Sequence, residues 1–294
     1  MGLAGEAYGS AGRLRGRVAR VGCTIQRSAT TRNGVGALPI TEVFPYPTVK
    51  QVIFQIRFPD LFYLESRIGE LQLRVMREFP EPRLIHQQQV LLVGRQTGGA
   101  QNVEPPGPGG GSGVTEIWQF SSPKGYQLQV ATSSLSIHSE HHKTYRNEGA
   151  DKFRDVIKGV LGHFFALAPL PVVSRVGLRY IDRCPVPDVD NDVFTSYYRT
   201  VFPLSRFGLH DAEEMVFATT VAKAGYHLRY REAFRRPLGS EAEYVLDFDA
   251  YATDVLSGDC LAVTDSLHEI VSEEFERTAK DPLYQYMRRG GLQP

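Results

Sequence analysis

From Arg175 to Arg183 the chain reads Arg-Val-Gly-Leu-Arg-Tyr-Ile-Asp-Arg. A period of two puts Arg175, Gly177, Arg179, Ile181 and Arg183 on one side of a strand, and Val176, Leu178, Tyr180 and Asp182 on the other. The first side carries three guanidinium groups, which do not bury cheaply without partners. The second side is mostly apolar and needs cover. Tyr226–Arg235 repeats the arrangement, with His227, Arg229 and Arg231 opposite Tyr226, Leu228 and Tyr230. Such strands imply an α+β protein, with antiparallel sheets packed by their apolar faces on helices.

The rest of the chain supplies both kinds of element. Val52–Phe58 alternates and is expected to be a strand. Leu61, Leu64, Ile68, Leu71, Val75 and Phe79 form one helical stripe, predicting a helix over 61–79 capped by Asp60 and ended by Pro80 and Pro82. Leu84–Val93, Val114–Ser121 and Tyr126–His138 read as strands. The Gly- and Pro-rich stretch 98–113 is expected to be a flexible hairpin insertion. A wide apolar face predicts a second, buried helix over 149–167.

After Ala168-Pro169-Leu170-Pro171 the pattern starts again. Val172–Arg183 is a strand, 193–200 a short helix, and Met215–Ala222, Tyr226–Arg235 and Glu243–Thr253 are strands. Leu267, Ile270, Val271 and Phe275 mark a closing helix, with Ser266 and Glu269 as its capping box. Asp281-Pro282 opens a final turn. Both halves read strand, helix, three strands, helix. The expectation is a tandem β-α-β-β-β-α pseudo-repeat over 38–168 and 172–290, in one compact unit. Gly125-Tyr126-Gln127-Leu128 and Gly225-Tyr226-His227-Leu228 hold matching places in it.

Charge is balanced, with 33 Lys and Arg against 33 Asp and Glu. That argues against a dedicated nucleic-acid binder, which needs a basic footprint. The balance hides six arginines (Arg13, Arg15, Arg17, Arg20, Arg27, Arg32) against the single acid Glu6 near the start. Residues 1–37 are therefore expected to be a basic, disordered tail outside the fold. Cys23, Cys184 and Cys260 are odd in number and widely spaced, which fits reduced thiols in a cytoplasmic protein rather than a disulfide framework. No apolar run approaches the roughly 18 residues of a membrane span. No Walker lysine, G-x-S-x-G or HExxH pattern is present, so no cofactor is expected.

Three stretches carry a resemblance: Leu38-Pro39-Ile40-Thr41-Glu42-Val43, Gly177-Leu178-Arg179-Tyr180-Ile181-Asp182, and Leu267-His268-Glu269-Ile270-Val271-Ser272-Glu273-Glu274-Phe275. Together they resemble a sporadically distributed bacterial family of uncharacterised proteins catalogued only by serial number. The resemblance covers nearly all of 38–290 and brings no activity and no catalytic residue. It departs at Asp182, where the family prefers Asn, which puts a neutral role there in doubt.

The candidate binding residues are the arginines Arg175, Arg179 and Arg183, with His227, Arg229 and Arg231. If their two strands are neighbours, they line one anion-binding surface. Asp182, Asp247 and Asp249 are the possible acid partners. Asp247 and Asp249 could do acid–base work, but pairing with the arginines is the more economical role. His138, His141 and His142 form a weak metal candidate without an evident fourth ligand. The expected function is a non-enzymatic binding protein with a protein partner, in an accessory system for stress, phage defence or toxin neutralisation. The alternatives are an enzyme or sensor for an anionic small molecule and, less favoured, nucleic-acid binding through the tail.

Overall fold

The computed structural model of the chain describes residues 42–88, 114–140, 144–146, 152–237 and 239–291. The tail 1–37 and the insertion 98–113 lie outside them. In chain order the elements are β1 (Val49–Arg57), α1 (Tyr63–Val75), β2 (Glu81–Gln88), β3 (Val114–Ser121), β4 (Tyr126–Ala131), β5 (Ser134–Ser139) and α2 (Phe153–Leu167). Then follow β6 (Val172–Cys184), α3 (Asn191–Tyr197), β7 (Glu214–Lys223), β8 (Tyr226–Arg235), β9 (Glu243–Leu256), α4 (Cys260–Thr278) and α5 (Asp281–Arg289).

The strands form one nine-stranded sheet in the order β2-β3-β4-β5-β1-β6-β9-β8-β7. Every pairing in it is antiparallel. The protein is thus α+β, and the halves of the chain meet where β1 pairs with β6.

The period-two alternation sorts the side chains. Leu128, Ile137, Phe54, Leu178, Ala250 and Leu228 lie opposite one another across six neighbouring strands. All six are buried. The helices cover this row. Phe58 meets Phe164 of α2 at 5.1 Å, Tyr126 meets Phe153 at 6.0 Å, and α4 packs on β6 and β9. Fully burying one such aromatic side chain contributes about 1.5–3 kcal/mol, so this face holds the core.

Several expected boundaries shift. Tyr126–His138 is two strands, not one. A two-residue hairpin at Thr132 and Ser133 lies between Ala131 and its partner Ser134. It contains neither glycine nor a residue at positive φ, so no turn signal marks it. Four strands therefore follow α1 in the first half, against three after α3 in the second. The strand expected from Leu84 begins at Glu81 and includes Pro82. Its position at the sheet edge tolerates the missing donor.

Caps differ as well. Asp60 does not cap α1; its carboxylate accepts the Thr132 hydroxyl at 3.1 Å. Ser266 lies inside the 19-residue α4, and its hydroxyl turns back to the Ala262 carbonyl, so the expected capping box does not exist. Asp190 does cap α3, accepting from the amides of Asp192 and Val193. Residues 149–151 of the expected second helix lie outside the described residues.

Candidate functional site

The other face of the sheet is polar. Along it β9 separates β6 from β8, so the condition that the two arginine strands be neighbours is not met. The intervening strand supplies carboxylates to both. Arg179 lies opposite Asp249 in register, and Asp249 lies opposite Arg229.

Two close ion pairs result. Arg179 donates from Nε and Nη2 to the two oxygens of Asp247, each at 2.7 Å. Arg175 Nη2 donates to both oxygens of Asp249 at 2.8 Å, and Nη1 donates to Gln55 at 3.0 Å. Arg229 stands 3.8 Å from Asp249. Burial pushes the Asp249 carboxyl above its ordinary value, while the guanidiniums of Arg175, Arg179 and Arg229 pull against that rise. Arg175 also lies 4.7 Å over the Tyr251 ring. Gly177 permits this path, because a Cβ there would stand 2.7 Å from Arg175 Nη1.

The remaining expected residues are placed as follows. His227 stacks on Tyr251, with ring centroids 5.0 Å apart. Arg183 reaches Glu243 only at 3.7 Å, and both are exposed. Arg231 forms no ion pair among the described residues. Arg183, Arg231, Arg235 and Lys50, with the acids Glu140 and Glu243, border a groove of about 640 Å³ on this face. Its floor includes Ile181, Ala233 and Val245.

Asp182 is a correction. It points to the helix side, is buried, and cannot partner the arginine face. The alternation that exposes Arg183 buries it. His138 does lie on the open face, 3.0 Å from the Ser136 hydroxyl. Burial, then the charge of Arg179, lowers its pKa to about 4, so it is neutral at physiological pH. His141 and His142 lie outside the described residues. Among the described residues no group of three or more metal-binding side chains forms.

No family model, no curated protein and no solved structure matches this chain.

The helix side carries a constellation that sequence reasoning missed. Tyr180 Oη lies 3.1 Å from His268 Nδ1. Tyr145 stacks on the His268 ring at 4.1 Å and donates its hydroxyl to Asp265 at 3.0 Å. Arg154 holds the same Asp265 through Nε and Nη2 at 2.7 and 2.8 Å. Thr48 donates to Asp182 at 2.7 Å. All three resembling stretches reach this place: Val43, Tyr180 with Asp182, and His268 with Phe275 line one cavity. Sequence separation hid it, since Thr48 and Asp182 are 134 residues apart.

Proposed function

We propose that this protein is a non-enzymatic binding protein that holds an acidic protein partner against the open face of its sheet. The observation that carries the reading is the groove bordered by Lys50, Arg183, Arg231 and Arg235. Arg231 and Lys50 have no ion-pair partner among the described residues, and Arg183 has only a loose one. Guanidinium groups set in rows on a rigid sheet suit a carboxylate-bearing surface.

The chemistry of the face favours binding over catalysis. Asp247 and Asp249 are the buried carboxylates of that face, and each is held by an arginine through both oxygens. Oxygens engaged by a guanidinium in this way are not positioned to take a proton from a substrate. The mixture of signs favours a protein over a polyphosphate chain, because Glu140, Glu243 and the two aspartates repel phosphates. Val216 on the neighbouring edge strand β7, opposite Ala233, is exposed and adds apolar contact area.

Among the described residues, no helix is long and apolar enough to cross a membrane. The free thiols Cys184 and Cys260 are buried. A cytoplasmic setting in a bacterial accessory system belongs to the same proposal, from the thiols and the resemblance. Capture from a native host lysate on the immobilised chain should recover one stoichiometric protein, released by added salt. Stabilisation of the chain by a phosphorylated metabolite, with no captured protein, would move the reading to a small anionic ligand.

A further inference from the structure

On the helix side, β6, α4, α5, the lead-in to β1 and residues 144–146 border an open cavity of about 600 Å³, a size that suits a small molecule. Asp182 lines it while only 2% exposed. Its Oδ1 accepts the Thr48 hydroxyl at 2.7 Å. Its Oδ2 takes no hydrogen bond among the described residues. Among the described residues Oδ2 is not one of the enclosed unpartnered side-chain atoms, so it opens onto the cavity.

The charges around the cavity do not balance. Arg288 binds Glu42 through both carboxylate oxygens, and Arg146 pairs with Glu269 at 3.1 Å. Asp182 and Glu140 remain, neither with an ion pair among the described residues. Lys50 on β1 acts on Asp182 only through its field. Tyr145, Tyr180 and Phe275 give aromatic walls, and Val271 and Met287 give apolar ones.

We propose that this cavity binds an organic cation, a primary or secondary ammonium with an apolar body, with Asp182 as its counter-ion. An ammonium N–H supplies the donor that Oδ2 lacks. The aromatic faces attract the same charge, and the apolar walls take the carbon body. An anion of the same shape meets the carboxylates of Asp182 and Glu140, neither of them in an ion pair among the described residues. A neutral molecule leaves the charge of Asp182 unopposed. The hydrogen bond between Tyr180 and His268 and the stacked Tyr145 hold the walls in place. Asp182 and Arg183 point to opposite sides of β6, while Glu140 borders both the cavity and the open-face groove.

The test is calorimetric titration of the full chain at pH 8 with phenethylammonium, hexylammonium and spermidine. 2-Phenylethanol and 3-phenylpropionate serve as neutral and anionic controls. At least one ammonium should bind at least tenfold more tightly than either control. Asp182→Asn keeps an acceptor for Thr48 and should weaken that ammonium at least tenfold while still melting cooperatively. Val271→Phe, which narrows the cavity without touching the charge, should weaken it too. No binding by any of the three at millimolar concentration overturns the proposal. So does equal binding of the controls, or unchanged affinity in Asp182→Asn.

Discussion

Arg179 and Asp247 are joined across the β6–β9 pair by two hydrogen bonds of 2.7 Å, in the parallel geometry that matches guanidinium to carboxylate. The aspartate side chain is 8% exposed and the arginine 28%. Asp247→Ala should therefore cost about 1–3 kcal/mol, softened because Arg179 can turn to water. The double variant with Arg179→Ala should cost less than the sum of the singles by on the order of 1 kcal/mol. Urea unfolding of all four chains checks this; strict additivity would show that the pair does not couple.

Ala224 and Gly225 join β7 to β8 with φ of 52° and 84°. Two positive φ values in a two-residue hairpin match a type I′ turn, which favours Asn-Gly. Alanine is strained at the first position. Ala224→Asn should stabilise the fold by about 0.5–1 kcal/mol, visible as a raised melting temperature. Ala224→Val should lower it.

Asp182 sets a pH dependence. Burial raises its pKa from the ordinary 3.8 to about 7, opposed by the Thr48 hydrogen bond and the charge of Lys50. Between these values the folded chain holds a proton that the unfolded chain has released. Its stabilising contribution is thus complete below about pH 3.8 and is lost as pH rises to about 7. Asp182→Asn should melt higher than the parent at pH 8, and the gap should shrink toward pH 4.5. Parallel melting profiles across that range would contradict the assignment.

Glu232 is fully buried on the helix side and accepts hydrogen bonds from the hydroxyls of Thr200 and Tyr230 and the amide of Val201. Glu232→Ala strips these donors of their acceptor and should cost about 2–4 kcal/mol. Glu232→Gln, which keeps a carbonyl oxygen, should cost less. Hydrogen exchange at the Val201 amide should quicken in the alanine variant first.

What the sequence made legible follows from period. Alternation placed Arg175, Arg179 and Arg183 on one side of β6 and Tyr180 and Asp182 on the other, as the register bears out. The same alternation put Asp247 and Asp249 on the arginine side of β9. It could not say which strand lies beside which, because strand order depends on long-range pairing rather than local pattern. The Thr132–Ser133 hairpin shifts the apolar phase from Tyr126, Leu128 and Val130 to Leu135 and Ile137, but no glycine or positive φ marks the slip. The Tyr145–His268 stack joins residues more than a hundred positions apart, and His268 on its helix carries no local mark of its partners.

The open sheet face as a docking surface for an acidic protein is most directly tested by charge reversal. The measurement is the molar amount of captured partner per immobilised chain, for the parent, for Arg183→Glu with Arg231→Glu, and for Lys158→Glu on the exposed side of α2. The parent and Lys158→Glu should recover equal amounts, and the double variant at least tenfold less at unchanged melting temperature. Full recovery by the double variant would contradict the docking role of this face.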